Sequence, residues 1–375
     1  MEKVAAVKCP TYEPEKVYEA IKEALKRLEF VVPEDKTVLL KPNILSQNKP
    51  AQHTITHYCV VAGLCRILRE RNCRILIGES IAFYESGLTR KAFETSNIKS
   101  VADKYGAQLI AFEEEKLVKI KPAAVRFGEL YIPEVLLKAD VIINVCKLKT
   151  HGTMRLSGAI KNMFGCLPGG YKQKVHALVN NEFELSEVFV AIHKLVQPTL
   201  SIMDAVVSLD GGPSAIGRPV ETATILASTN AAALDATACS MIGYEVNNIP
   251  TLLCAEKMGL IDNYNDIEVL GIIEPVKFKK LVNADISRRF DQDSIFIKHT
   301  YVDPLINRSK CDNCLKCIGE CPVNAIKIRD GKVVVENNLC INCYHCLFVC
   351  PQAAIGIVSS PMNKLIRAIR YIIGI

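Results

Sequence analysis

Short apolar runs and helix-period segments alternate along residues 1–275. "KVAAV" precedes "PEKVYEAIKEALKRLE", in which Val17, Ala20, Ile21, Ala24, Leu25 and Leu28 fall on one helical face. "TVLLKPN" precedes a helix expected from about Thr56 to Arg71, and "RILIGES" precedes a helical stretch after Thr89. "QLIAF", "DVIINV", "LSIMDAV", "TATILAS" and "IEVLG" read as further short strands. "AAALDATACSMIG" and "PTLLCAEKMG" read as helices, each closed by glycine. Such alternation predicts an α/β fold: a mostly parallel sheet with helices on both faces. Residues 276–302 read as a connector, 303–358 as a small second unit and 359–375 as an amphipathic C-terminal helix. In that tail Met362, Leu365, Ile366, Ile369, Ile372 and Ile373 face away from Lys364, Arg367 and Arg370. It is too short to span a bilayer, and it is expected to pack on its own chain or on a sister subunit. Contact with a membrane surface is the lesser alternative.

The small unit carries the sharpest chemistry. "CDNCLKCIGECP" places Cys311, Cys314, Cys317 and Cys321 before Pro322, and "CINCYHCLFVCP" places Cys340, Cys343, Cys346 and Cys350 before Pro351. Both read C-x2-C-x2-C-x3-C-P, and each cysteine recurs at an offset of about 29 residues, an internal duplication. Between the quartets, "KIRDGKVVVENN" alternates around Asp330-Gly331, a hairpin signal. Paired zinc sites are the alternative, since C-x2-C is also a zinc spacing, but eight cysteines in this register disfavour them. The segment resembles the bacterial two-[4Fe–4S] ferredoxin family over about residues 303–358. That resemblance implies a small α+β domain with one cluster on Cys311, Cys314, Cys317 and Cys350. The other would sit on Cys340, Cys343, Cys346 and Cys321. The remaining eight cysteines show no ligand spacing and are expected to be buried small hydrophobes.

Composition sets the frame. The chain has 375 residues, 49% of them hydrophobic, with no Trp and a formal charge of +6. The N-terminus lacks a secretory h-region and no apolar run spans a bilayer, so a cytoplasmic and, given the clusters, anaerobic setting is expected. Two clusters and their eight thiolates would offset roughly four of the positive charges, so the basic excess does not argue for nucleic acid. The basic residues also lack an interleaved aromatic platform.

In a parallel sheet, ligands bind beyond the carboxyl ends of the strands. There "VLLKPN" offers Lys41 and Asn43, "ILIGES" offers Glu79, and "VIINVCKLKTH" offers Lys147, Lys149 and His151. "SIMDAVVSLDGGP" offers Asp204 and Asp210. In "THGTMRLSGAIKNMFG", Ser157 is expected to cap a helix carrying Lys161 and Asn162, whose N-terminus would favour an anion. "LPGGYKQKVH", with Lys172, Lys174 and His176, reads as a phosphate-binding loop in preference to an ordinary one. His53 and His57 lie four apart like a metal pair, but no carboxylate completes the site, so a helix start with capping threonines is preferred. No dinucleotide, P-loop or nucleophile-elbow motif occurs.

Here the resemblance widens. "LLKPN", "HTITH", "IGES", "KLKTH", "SGAIKNMFG", "LPGGYKQKVH" and "MDAVVSLDGGPSAIG" resemble the domain-of-unknown-function family numbered 362, over roughly residues 1–275. "ADVIINVCKLKTHGTMRLSGAIKNMFGCLPG" is more remotely similar in layout to the lactate racemase family, whose members carry a nickel pincer cofactor. Its Gly-Gly-Lys segment is "GAIK" here.

Taken together, the sequence predicts an iron–sulfur oxidoreductase passing electrons through two [4Fe–4S] clusters to or from a small anionic substrate. Lys147, Lys149, His151 and Lys161 are the candidate catalytic residues, and Lys41, Asn43, Glu79, Ser157, Asn162, Lys174 and Asp204 the candidate substrate contacts. Flavin and nickel stay open as further cofactors without a motif to signal them. A redox partner protein (a ferredoxin or a reductase) is expected, and a homodimer is left open. The alternatives are an electron-transfer subunit whose α/β domain docks a partner enzyme, and a cofactor-dependent isomerase or binding protein.

Overall fold

The computed structural model describes residues 1–81, 88–122, 125–126, 128–211, 217–279, 300, 302–365 and 368. Its strands are β1 (Glu2–Lys8), β2 (Thr37–Pro42), β3 (Arg74–Glu79), β4 (Gln108–Ala111), β5 (Leu117–Ile120), β6 (Leu130–Pro133), β7 (Val141–His151) and β8 (Arg155–Ser157). They continue with β9 (Leu200–Asp210), β10 (Arg218–Ser228), β11 (Ile267–Gly271), β12 (Val302–Ile306), β13 (Ile326–Arg329), β14 (Lys332–Val335) and β15 (Ile355–Ser359). The central sheet runs β11-β1-β10-β9-β7-β2-β3-β4, with β8 folded back on β7. Pairing is parallel for β1 with β11, β2 with β3 and β7, β3 with β4, and β7 with β9. β10 runs antiparallel to both β1 and β9. The carboxyl ends of β1, β9, β7, β2 and β3 therefore share one edge.

Side-chain alternation splits the interior into two cores. Val4, Leu39, Leu76, Ile142 and Met203 pack on one face, with the helices Glu182–Val196 and Ala231–Met241. Their neighbours Ala5, Val38, Ile75, Ile143 and Ile202 pack on the other, with Pro14–Arg27 and Tyr58–Glu70. This is the helix-covered, mostly parallel sheet that the alternation predicts, since strands buried on both faces need continuous apolar runs. Gly243 and Gly259 close their helices in the left-handed region, at φ of 75° and 66°.

The small module pairs β12 with β15 and β13 with β14, both antiparallel. Asp330 and Gly331, at φ of 49° and 69°, form the tight turn of the β13–β14 hairpin. The duplication is written into the backbone: Asn313 and Asn342, Leu315 and Tyr344, and Asn324 and Ala353 all have positive φ at corresponding positions. The tail beyond 365, apart from residue 368, and most of the 276–302 connector lie outside the described residues, as do 212–216 of the "GGPSAIG" turn. In the described part of the tail, Met362 and Leu365 are exposed and Asn363 is buried, donating to Thr300 O. The rest of the apolar face expected there, Ile366, Ile369, Ile372 and Ile373, lies outside the described residues. Among the described residues no helix is long and apolar enough to cross a membrane.

The module is set into the sheet domain. Cys343 is buried within the larger core, and Ile341 and Val323 pack against it. The Tyr344 ring lies over Gly169 and Gly170: a Cβ at Gly169 would sit 2.7 Å from the ring and 3.0 Å from Cys343 O. Gly169 also has φ of 52°. Gly169→Ala is expected to lower stability by about 1–3 kcal/mol through overpacking and strain. Denaturant unfolding of the cluster-loaded chain checks this, with Gly319→Ala, which meets open space, as the neutral control.

Candidate functional site

At the shared strand edge the charged side chains are buried in pairs. Lys41 at the end of β2 meets Glu79 at the end of β3 at 2.5 Å, and both are essentially without solvent contact. Glu79 also accepts from Ser80 N at 2.9 Å, and burial raises its pKa against the pull of Lys41. The pair lies against backbone: a Cβ on Gly165 would fall 2.3 Å from Glu79 Oε1 and 2.5 Å from Lys41 Nζ. A second pair joins register partners of β7 and β9, Lys147 and Asp204, at 3.0 Å. Tyr12 Oη closes it into a triangle, accepting from Lys147 Nζ at 2.8 Å and donating to Asp204 at 2.8 Å. Burial lowers the Lys147 pKa despite Asp204. Asn162 stitches the strands together, accepting from Asn43 at 2.9 Å and donating to Asn144 at 2.7 Å.

Next to these pairs stand cations without carboxylates. Lys149 is buried and donates to neutral oxygens, Asn43 Oδ1 at 2.9 Å and Thr54 O at 2.7 Å. Burial, reinforced by Lys161 and Lys147, lowers its pKa to about 7. Lys161 is half-buried with its ammonium 5.7 Å from the Phe189 ring centre, and burial with Lys41 lowers its pKa to about 8. Among the described residues neither lysine has a carboxylate within salt-bridge distance. His151 and His176 lie in the field of Lys161 and are driven to the neutral form, chiefly by burial. His151 Nδ1 accepts from Thr153 N and Met154 N at 3.3 and 3.2 Å, which leaves the proton on Nε2. Neutral donors and under-compensated ammoniums at a strand edge are a place for an anion.

Lys41, Asn43, Glu79, Lys149 and Asn162 thus meet in one hydrogen-bonded network, with Lys147 and Asp204 in a second cluster at the same strand edge and Lys161 and His151 near the first. Other expectations are corrected. Ser157 is not the cap of the helix Ala159–Asn162: the cap position is Gly158, which has no side chain to cap with. Its N-terminal amides are taken by Asp235, which accepts from Ala159 N at 2.6 Å and Ile160 N at 3.1 Å. The anion at this helix end is therefore the protein's own, and burial raises Asp235 to about pKa 7. "YKQKVHAL" is the helix Tyr171–Leu178 instead of a phosphate loop. Lys172 in it is spent on Ser80 O at 2.6 Å, and Lys174 lines a cleft against the small module. His57 caps its helix itself, through Nδ1, while Thr56 donates to Val145 O. Asp210 holds Arg218 and the Lys279 amide. Tyr12 escaped the sequence reading, although it follows the carboxyl end of β1, where the same rule would have found it.

In the module, a cavity is bordered by Cys311, Cys314, Cys317 and Cys350. Cys321 instead lies in the electrostatic neighbourhood of Cys340, Cys343 and Cys346. The fourth cysteine of each motif has crossed to the other quartet. Ala325 N and Ala354 N donate to Cys321 and Cys350 Sγ at 3.2 and 3.3 Å, bonds of the kind that steady cluster thiolates. Among the described residues no three or more His, Cys, Asp or Glu side chains are gathered to hold a single metal ion. A four-iron cube does not ask for that, because each thiolate takes its own iron corner. The other eight cysteines are all buried, as expected.

Residues 38–240 match DUF362, a domain of unknown function, and residues 303–351 match the 4Fe-4S dicluster domain. The thylakoid-associated protein sll1697 of Synechocystis sp. (strain ATCC 27184 / PCC 6803 / Kazusa) is 29% identical over 262 residues, 68% of this chain and 79% of that protein. The lactate racemase apoprotein of Thermoanaerobacterium thermosaccharolyticum superposes with a TM-score of 0.41 at 12% identity. That match covers 64% of this chain and 57% of the racemase, under two thirds of the racemase's length. The chain belongs to the DUF362 family, and its C-terminal module makes it an iron–sulfur, 4Fe–4S-binding electron-transfer protein.

Two outcomes follow from the paired and unpaired cations. Lys41→Met strands the Glu79 charge and is expected to cost about 3–5 kcal/mol, largely recovered by adding Glu79→Leu, as denaturant titration will read. Sulfate, whose charge is constant near neutrality, is expected to bind the lysines in their protonated form. Its affinity should be highest below about pH 7 and fall as pH rises through the values of Lys149 and Lys161, about 7 and 8. Calorimetric titration from pH 6 to 9 checks it, and Lys149→Met should remove the lower step.

Proposed function

We propose that this DUF362 protein is an iron–sulfur oxidoreductase that exchanges electrons between two [4Fe–4S] clusters and a small anionic substrate held at the strand edge. The observation that carries the reading is the pair of cations, Lys149 and Lys161, set among neutral groups with no carboxylate in salt-bridge reach among the described residues. When bound, the clusters would supply electrons one at a time. Everything else falls to the chain.

Lys149 and Lys161 hold the substrate anion and favour the additional negative charge that reduction brings, as preorganised donors do. Asn43 fixes Lys149, and Asn162 fixes Asn43, so the donors need not reorganise. A two-electron reduction takes up two protons. Both lysines, with pKa values brought to about 7 and 8, are protonated groups able to give them up near neutrality. The two closed pairs, Lys41–Glu79 and Lys147–Asp204, keep the surrounding field fixed while the open cations change charge. The cysteine quartet containing Cys343 adjoins this domain, with Tyr344 on Gly169 and with Gly169 N donating to Ser80 Oγ at 2.8 Å, one residue from Glu79.

The test is anaerobic, viologen-linked reduction of a panel of small carboxylates and oxyanions by the reconstituted full chain. One class should be turned over, and Lys149→Met and Lys161→Met should each lower kcat/KM by about 10²-fold or more with the visible cluster spectrum intact. Full turnover in both variants would sink the site, and would favour a subunit that only relays electrons to a partner enzyme. Separately, iron should measure about eight per chain and fall to about four in Cys350→Ser.

A further inference from the structure

A cleft of about 600 Å3 lies between the sheet domain and the module, within the range of small-molecule sites. Its floor is the helix Tyr171–Leu178, one wall is the β5–β6 hairpin, and the other is built from both cysteine motifs. Cys340 itself lines it, and so do Pro322 and Val323, which follow Cys321. Those two cysteines belong to one quartet, so a molecule in the cleft would touch the protein shell of that cluster.

The lining is aromatic and apolar, with spare positive charge. Tyr131 and Tyr171 meet edge to face at 6.1 Å, and both hydroxyls are tethered to Glu129, at 3.0 and 3.3 Å. At the rim, Leu178 and Leu339 are 53% and 43% exposed, a cost in water that an occupant would remove. Glu129, the carboxylate of the lining, is already held by Lys119 at 2.6 Å. Lys174 has no hydrogen bond or ion pair to any described residue, and it stands close enough to Cys340 for its charge to act there. The cleft thus combines flat apolar walls, one uncommitted cation and the edge of a redox centre.

We propose that this cleft binds a diffusible planar aromatic electron carrier with an anionic tail, of the flavin mononucleotide class. The ring lies along Leu178, Leu339 and Tyr171, and the anion pairs with Lys174. The reduced carrier gives up two electrons and two protons and leaves oxidised. The electrons pass singly to the two clusters, a capacity that rests on the reading above, and the protons escape through the open mouth. The substrate site at the strand edge and the carrier site at the module are then separate.

The experiment uses the full chain, reconstituted without oxygen, with flavin mononucleotide as probe and riboflavin, which lacks the phosphate, as control. Flavin fluorescence should be quenched on binding, with riboflavin at least about tenfold weaker. Lys174→Ala should bring flavin mononucleotide down to the riboflavin value, and Ala177→Glu, an exposed lining position, should abolish binding of both, with the cluster spectrum kept. Reduced flavin mononucleotide should bleach the cluster absorbance, and Ala177→Glu should slow this by about tenfold or more. No quenching up to about 1 mM, or affinity indifferent to the phosphate and to both substitutions, overturns the proposal. Failure of every substrate in the viologen assay would leave these binding measurements unchanged, so the two readings fall separately.

Discussion

The Lys41–Glu79 contact is the constraint around which the large domain is arranged. An ammonium and a carboxylate without water are tolerable only when they meet closely and their remaining bonds are filled. Meeting that condition brings β2 and β3 to the same level, draws Asn162 across to Lys41, and presses the backbone at Gly165 against both charges. The glycines in "SGAIKNMFGCLPGG" follow from such contacts: at Gly158 against Asp235, at Gly165 against the ion pair, and at Gly169 and Gly170 against Tyr344. A loop built to cradle a phosphate would also be rich in glycine, and the local sequence does not separate the two uses.

Against the paired charges, the unpaired ones become meaningful. Lys41 is matched with Glu79 and Lys147 with Asp204, whereas Lys149 donates to an amide oxygen and a backbone carbonyl and Lys161 stands near a ring. Burial lowers the pKa of both, as it lowers that of the paired Lys147. The same contrast recurs at the module, where Lys119 is matched by Glu129 and Lys174 is not.

Much of this was legible in the sequence where the signal is local or periodic. Alternating strands and helices foretold the sheet and its two covered faces, the strand-end rule gathered Lys41, Glu79, Lys147, Lys149 and Asp204, and the repeated cysteines foretold a repeated backbone. What escaped depends on residues far apart in the chain. Asp235 reaches the Ala159 amide from another helix, and nothing near Ser157 announces that the helix end is already occupied. Tyr12 joins Lys147 from the loop after β1, and Tyr344 meets Gly169 from the other module. The reversed direction of β10 also has no local mark, since an antiparallel strand buried on both faces reads like a parallel one.

The burial of Cys343 in the core of the sheet domain has a consequence for the life of the protein in the cell. By its place in the second cysteine motif this residue would be an iron ligand, and it is also part of the packing of the large domain's core. Cofactor loss is then not a silent event confined to an appended module. Loss of a cluster held there would release a side chain of the larger core, and the seam between the two domains would loosen where Cys343, Ile341 and Tyr344 meet it.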